Sequence, residues 1–562
     1  MALRAYLIKK HIVPAQPVSF LIGGDFLLPV NCGSHSDYQN FVVENLRKYY
    51  PNPDAISRDT WDIIDRFWNL VLSYTDEMMM SKYSKYGPAP RNPSCMQRSY
   101  LLSIDFKVTS VTEWAAQLKI NPLYAIVSGF EVGDTPGVGT FYDFFSRLWD
   151  SENKNLNPHI HKLKIPVKKP KKKGYKAQPT GKVTVDQLFK NLERQSFSID
   201  VQPYASLFDL YTKEFLRKSL EKGLINNTLL SIAGDGTPVV TSARERKHRI
   251  CDCASKGIHD CDCERYFSQP DCDVGWDSSR GYFYHGYDLY MLVASDSESD
   301  LPVFPLLHPA SMHDSHGFLN AFFRMRSFLP DFHVEKLLLD SAHDAMPYYQ
   351  YCRRNGITPF IDLNEKRGIK EKYKDDFTIG EDGIPVCKVG RKMNHDGVEI
   401  SKARIKFRCP LASRKHGCSC ESPCSDSKYG RTVHLAMKDN PRLINIPPRD
   451  SEQWKSEYNA RTSAERSNKR EKIDFKLESG RHRSTKMWYC RLYHILMLQH
   501  LDAWDLPFES TLKKLILNVA YSYRHHTSFF GIATVLCLFF VPIFSIPNNI
   551  YLSKFNARIS LA

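Results

Sequence analysis

The sequence predicts an α/β protein with a mixed or parallel β-sheet, preceded by a mainly helical N-terminal region. The first observation is a pair of short apolar runs at residues 229–234 and 334–339, which suit buried strands. The second is that each run is followed by a carboxylate, Asp235 and Asp340. The third is that further strand and helix patterns flank them: strands at 281–294, 301–307 and 357–361, and helices at 315–328 and 345–355.

Length and charge set the outer limits. A chain of 562 residues has room for two to four domains. The formal net charge of +15 and the pI near 9.0 favour a polyanionic partner. The mean hydropathy of −0.41 argues against an integral membrane protein, and the N-terminus has no evident signal peptide. We therefore expect a cytoplasmic protein whose fifteen cysteines are reduced unless they bind metal.

The N-terminal region is expected to be helical over residues 1–160. Residues 111–130 have the pattern of a helix-turn-helix, with a short helix, a polar turn and a second helix, although an ordinary helical hairpin fits the same pattern. A basic linker follows at 161–182, and a helical lead-in at 183–228. The linker is too charged to be buried, so it either contacts the DNA backbone or is a solubilising hinge. Its most crowded lysines are Lys168, Lys169, Lys171, Lys172 and Lys173.

A spaced tetrad lies further along the chain. Tyr458, Arg461, Glu465 and Lys472 are separated so that all four share one stripe of a helix. Such a stripe suits a phosphodiester, with Glu465 on a metal ion, the two cations on phosphate oxygens and the tyrosine ring on a base or sugar. A solvated helix face with spaced charges is the alternative.

Together these residues carry a family resemblance. Asp235, Asp340 and Glu465, in that order and with the Tyr-x2-Arg-x3-Glu-x6-Lys spacing, resemble the DDE transposases of bacterial insertion sequences, and more narrowly their insertion-sequence-four-like group. The surrounding sequence segments are also similar to that group: AGDGTPV, PLLHPASMHDS and LLLDSAHDAMPYYQYCRRNGITPFIDLN. The resemblance covers roughly residues 229–504. It implies a ribonuclease-H-like catalytic core at 229–510, with inserts at 241–280 and 365–448, and an N-terminal region that helps to bind the element's ends.

The resemblance also implies an activity. Asp235, Asp340 and Glu465 would hold two Mg²⁺ ions, and the enzyme would cleave DNA at its element's ends and join them to target DNA. Tyr458 and Arg461 would grip the bent strand of a hairpin step. The expected partner is double-stranded DNA, bound by a homodimer at the nucleoid. The alternative is a catalytically inactive, transposase-derived DNA-binding protein.

Two cysteine clusters fall inside the inserts. The first contains Cys251, Cys253, Cys261 and Cys263, and the second contains Cys409, Cys418, Cys420 and Cys424. Four thiolates so close together suit a structural Zn²⁺ that would hold a loop-rich insert lacking its own core. Neither cluster has the Cys-x2-Cys spacing, and redox-inert thiols remain the alternative.

The C-terminal part raises a separate question. Residues 488–504 are expected to form an amphipathic helix that closes the core. In the tail at 511–562, the uncharged stretch 529–546 is close to the lower length limit for a membrane span. A buried helix or an interface element fits it as well, and we expect that the protein does not bind a membrane. If this stretch spanned a membrane, the protein would instead be a structural or membrane-anchored protein.

Overall fold

The structure of the chain is a computed structural model. It describes residues 33–156, 184–243, 253–258, 269–364, 377–504 and 512–516, except for 85, 87, 88, 381, 382, 414–416, 439 and 481. The whole basic linker 161–182 and the uncharged stretch 529–546 lie outside the described residues. So do Cys251, Cys261 and Cys263 of the first cysteine cluster.

The N-terminal region is helical, as predicted. Its described helices are α1 His35–Tyr49, α2 Arg58–Trp68, α3 Ser73–Met80, α4 Pro93–Asp105, α5 Val111–Ile120, α6 Pro122–Ser128 and α7 Val138–Arg147. The lead-in adds α8 Val185–Leu192, α9 Ala205–Tyr211 and α10 Arg217–Glu221, and a π-helical stretch joins the last two. All thirteen residues of α4 are buried, so this helix forms the centre of the helical region.

The expected helix-turn-helix takes a different form. Helices α5 and α6 are joined by the single residue Asn121, which ends the first and caps the second through its side chain. A DNA-binding helix-turn-helix needs a longer turn and an exposed second helix. Five of the seven residues of α6 are buried. The alternative of an ordinary helical hairpin therefore describes this segment better.

A six-stranded mixed sheet forms the core of the chain. Its strands are β1 Leu230–Val240, β2 Asp273–Asp277, β3 Tyr282–Ala294, β4 Pro302–Pro309, β5 Val334–Leu339 and β6 Thr358–Ile361. The order is β2–β3–β1–β5–β6, and β4 also pairs with β3. The pairs among β1 to β4 are antiparallel, whereas β1–β5 and β5–β6 are parallel. Helix α11 Asp314–Phe328 packs on the sheet, and α12 Met346–Arg354 leads from β5 to β6.

The α/β class is confirmed, and the sheet departs from the predictions in two places. Strand β1 continues to Val240, so Asp235 lies inside the strand instead of closing it. Strand β2 comes from the predicted insert 241–280 but pairs with β3, which makes it part of the main sheet. Strand β1 is extended beyond its apolar run because it pairs with β3, a distant part of the chain. Strand β2 joins the sheet because it forms a hairpin with β3, which follows it directly.

A second group of strands follows β6. These are β7 Phe377–Ile379, β8 Pro385–Cys387, β9 Asn394–Glu399, β10 Arg404–Arg408, β11 Ala412–Ser413, β12 Gly417–Cys418 and β13 Thr432–Ala436. They enclose a separate hydrophobic cluster that includes Phe377, Ile405, Phe407 and Leu435. The expectation that this insert lacks its own core is therefore wrong, and that argument for a zinc ion no longer holds.

Three helices follow these strands: α13 Glu452–Asn459, α14 Thr462–Lys469 and α15 Thr485–Ala503. Helix α15 was expected to be amphipathic, yet sixteen of its nineteen residues are buried. It packs against α4, α9 and β4, so it has almost no solvent-facing side. Residues 512–516 add one more helical stretch. Among the described helices, none is both long enough and apolar enough to cross a bilayer.

Candidate active site

The sheet places Asp235 and Asp340 on one face, along the neighbouring strands β1 and β5. Strands β1 and β5 run parallel, and their pairing ends with Ala233 opposite Leu338. Two residues further along each strand are Asp235 and Asp340, and a step of two keeps a side chain on the same face. Asp235 is held by the continuing β1–β3 ladder, where it lies opposite Met291. Asp340 follows the last residue of β5, as predicted.

Helix α14 brings the third carboxylate. The helix packs against β1 and β3, and its Asn468 donates a hydrogen bond from Nδ2 to Asp235 Oδ2 at 3.1 Å. Glu465 lies one turn earlier on the same helix, and its side chain is 50% exposed. The structure therefore brings the three predicted acids into one neighbourhood, from three separate elements.

The electrostatics of Asp235 show how close these acids are. Burial raises its pKa from 3.8 to about 7, and the negative charges of Asp340 and Glu465 add to the increase. Burial acts in the same direction on Asp340, but hydrogen bonds from His343 and from the backbone N–H of Ala342 outweigh it and hold the pKa of Asp340 below its usual value. The site thus contains one acid that resists ionisation and one that favours it.

Arg461 supplies the positive charge among the acids. Its Nη2 donates to Glu465 Oε1 at 2.7 Å, and its charge opposes the rise in the pKa of Asp235. The guanidinium carbon lies 5.8 Å from the centre of the Tyr458 ring. That ring stacks on Trp454 at 4.7 Å, and burial raises the pKa of Tyr458 to about 12.

The tetrad does not lie on one uninterrupted α-helix. Arg461 falls in the turn between α13 and α14, and residues Arg470–Asp474 form a π-helical segment. This segment directs Lys472 towards β1, where its Nζ donates to the carbonyl oxygen of Pro238 at 2.7 Å and lies 3.5 Å from Glu478. In this structure Lys472 therefore contacts the chain itself, whereas the sequence predicted a phosphate contact.

Two more acids lie beside the site, and the sequence analysis missed both. A Cβ atom at Gly236 would be 3.1 Å from Asp314 Oδ1 and 3.3 Å from Asp288 Oδ1. Asp288 is 6% exposed, and its Oδ2 has no hydrogen-bond partner among the described residues. Burial raises the pKa of Asp288 well above its usual value, and the charges of Asp314 and Asp235 add to this. A carboxylate inside the apolar run of β3 was the available signal.

Each of the three carboxylates has an oxygen that is not engaged by the described residues, although the three do not form a complete metal cage. Within the described ranges each has one oxygen that accepts a hydrogen bond and one that accepts none; the donors are Asn468 for Asp235, His343 and Ala342 for Asp340, and Arg461 for Glu465. Oxygen ligands of this kind suit Mg²⁺. No group of three or more His, Cys, Asp or Glu side chains in the described part of the chain is arranged to hold a metal ion.

The described cysteines do not form a metal-binding group either. Cys409 is buried, Cys420 and Cys424 are half-buried, and Cys253 of the first cluster is buried. The side chain of Cys418 lies outside the described residues, so the four-thiolate set of the second cluster is incomplete in this structure. Zinc at either cluster stays a prediction.

Comparison with known proteins does not assign the chain to a family. The chain matches no protein-family model, and no curated protein has a significantly similar sequence.

Proposed function

We propose that the protein is a transposase that cleaves DNA at its element's ends in the presence of Mg²⁺ and joins the freed ends to target DNA. The observation that carries this proposal is the convergence of Asp235, Asp340 and Glu465 from β1, β5 and α14. Burial raises the pKa of Asp235 to about 7, and the nearby charges of Asp340 and Glu465 add to that increase. Grouped carboxylates of this kind are costly without a cation, and phosphoryl transfer needs one.

The order of elements supports a ribonuclease-H-like core. The antiparallel strands β1, β3 and β4 are followed by a helix, a strand, a helix and a further strand, as the resemblance implies, and β2 is an additional antiparallel strand. The helix that carries the third acid comes after an inserted group of strands. This arrangement places one acid in the first strand, one after the next parallel strand and one on a later helix.

The residues around the acids have separable tasks. Mg²⁺, when bound, would supply the charge that activates a water or a 3′-hydroxyl and stabilises the leaving oxygen. Asp235, Asp340 and Glu465 would hold it through the oxygens that accept no hydrogen bond from described residues. Asn468 fixes the carboxylate of Asp235 from α14.

Arg461 and Tyr458 would meet the DNA. In the present structure Arg461 neutralises Glu465 and its neighbours, so it is free to turn to a phosphate only when another cation takes over that role. Tyr458 presents a ring already stacked on Trp454, which suits contact with a base or sugar. The proposed partner is double-stranded DNA, bound by a homodimer.

A second candidate is a transposase-derived protein that binds DNA without cleaving it. The observation that favours it is that the described carboxylates form no complete metal cage, while Arg461 already supplies a positive charge. Both candidates predict DNA binding. Only the first predicts a broken phosphodiester.

The test uses purified protein, Mg²⁺ and a DNA duplex that contains the sequences flanking its own gene. We expect strand cleavage by the wild type and its loss in Asp235→Ala, Asp340→Ala and Glu465→Ala, with DNA affinity largely kept. Asp143→Ala, on an exposed position of α7, is the matched control and should cleave normally. Cleavage by one of the three variants at the wild-type rate would remove that residue from the site. Binding by the wild type without cleavage would favour the second candidate.

A further inference from the structure

We propose that His343 is a positioning residue that orients Asp340 for metal binding. This inference rests on the proposed function, since it concerns the same carboxylate. His343 Nδ1 lies 2.6 Å from Asp340 Oδ1, and His343 Nε2 lies 3.0 Å from the hydroxyl of Tyr290. The three side chains form a chain of hydrogen bonds that runs from the candidate site into the core.

The chemistry of the partners fixes the direction of these bonds. An ionised carboxylate only accepts, so the proton of the imidazole must be on Nδ1. In neutral His343, Nε2 is then an acceptor and the Tyr290 hydroxyl donates to it. A tyrosine hydroxyl, whose ordinary pKa is about 10, carries the proton that this bond needs. A carboxylate–histidine pair of this kind sets the orientation of a metal ligand.

The imidazole ring is held on its other sides by aromatic rings. Phe318 lies 5.6 Å from its centre, Tyr348 lies 5.7 Å away and Tyr290 lies 6.0 Å away, all close to edge-to-face. Its side chain is only 2% exposed. A ring enclosed in this way has a single position, so the hydrogen bond to Asp340 has a defined direction.

The turn that carries His343 is fixed from the other end as well. Asp340 caps the short turn Ser341–His343, and Asp344 follows directly. Asp344 is fully buried and accepts hydrogen bonds from Arg442 at 2.6 to 3.0 Å and from the backbone N–H of Asn364 at 2.8 Å. These bonds prevent the turn from shifting.

The consequence concerns the two oxygens of Asp340. Oδ1 is occupied by His343 Nδ1 and by the backbone N–H of Ala342 at 3.1 Å. Oδ2 accepts no hydrogen bond from the described residues. The arrangement therefore presents one oxygen, in one orientation, to a cation. A merely structural histidine would stabilise the core without affecting that oxygen.

Two amide variants separate the roles of the ring nitrogens. Asparagine places its amide nitrogen near the position of Nδ1, so His343→Asn keeps the donor to Asp340. Glutamine places its amide nearer to Nε2, so His343→Gln loses that donor while keeping a polar group towards Tyr290. Tyr290→Phe removes only the outer hydrogen bond. A structural role predicts that Asn and Gln behave alike.

The experiment is a titration of the full-length protein with Mn²⁺, followed by electron paramagnetic resonance of the free ion. We expect His343→Ala and His343→Gln to weaken Mn²⁺ binding by about 10- to 100-fold. His343→Asn should stay within about threefold of the wild type, and Tyr290→Phe should lie between them. His333→Ala, an exposed histidine at the opposite end of β5, is the matched control and should bind normally.

The outcomes distinguish a failure of the proposed metal site from a failure of the inference about His343. If Asp340→Ala binds Mn²⁺ as the wild type does, the metal site of the proposed function is wrong. If Asp340→Ala loses binding while His343→Gln keeps it, only the inference about His343 is overturned. If His343→Ala does not fold, the comparison of Asn with Gln decides the question.

Discussion

Replacing Asp235 with asparagine should stabilise the metal-free protein above neutral pH. Burial, together with Asp340 and Glu465, raises the pKa of Asp235 from 3.8 to about 7. The folded protein therefore retains a proton that the unfolded chain has lost between these pH values. The contribution of Asp235 to the free energy of unfolding therefore falls as pH rises from about 4 to about 7. Asparagine does not ionise, so the variant avoids this loss.

The size of the effect follows from the same values. Each pH unit between 3.8 and about 7 is worth about 1.4 kcal/mol, so ionised Asp235 costs the folded protein about 4 kcal/mol at pH 8 as an upper bound. Asparagine keeps an oxygen that can accept from Asn468, so little should be lost on substitution. We expect a gain of roughly 2 to 4 kcal/mol in the free energy of unfolding at pH 8, and almost none at pH 4.

The assay is chemical denaturation in EDTA at several pH values between 4 and 8, comparing wild type, Asp235→Asn and the control Asp143→Asn. The difference between Asp235→Asn and wild type should grow with pH and level off above about pH 7. The control should follow the wild type throughout. An Asp235→Asn protein that is no more stable than wild type at pH 8 would refute the electrostatic description of the site.

Three further predictions concern other parts of the chain. Burial raises the pKa of Glu471 to about 8, so Glu471→Gln should increase stability at pH 8 by at most about 5 kcal/mol and flatten its decline with rising pH, as measured by denaturation. Arg461→Ala should reduce the slope of log DNA affinity against log salt by about 1, whereas Lys472→Ala, whose Nζ bonds to Pro238, should lower the melting temperature and leave the slope unchanged. If the second cysteine cluster binds Zn²⁺, elemental analysis should find near-stoichiometric zinc that Cys420→Ser lowers; zinc-free, fully ordered wild-type protein would contradict this.

The sequence predicted the sheet well where strands have continuous apolar runs. Strand β5 agrees with its prediction to the residue, and Asp340 follows it directly. The interior position of Asp235 was not predictable in this way, because β1 is extended by pairing with β3, whose residues are about fifty positions away. Local patterns do not contain such pairings.

The helices of the site show a similar limit. The tetrad spacing indicated one helical stripe, but the turn at Arg461 and the π-helical segment at Arg470–Asp474 change the direction of Lys472. A π-helical turn arises from packing, here of the segment against α15, and leaves no local sequence signal. The burial of α15 on nearly all sides is also a tertiary property, because its polar residues pair with distant ones, as His494 does with Gln97.

The central claim is that Asp235, Asp340 and Glu465 surround one metal site, and mapping by bound Fe²⁺ tests it without a DNA substrate. Fe²⁺ replaces Mg²⁺ at oxygen-ligand sites, and ascorbate with peroxide then generates radicals that cut the nearby backbone. We predict three groups of cuts, near residues 235, 340 and 465, that excess Mg²⁺ suppresses and Asp340→Ala abolishes together. Cuts confined to other segments, or cuts near only one of the three acids, would contradict the claim.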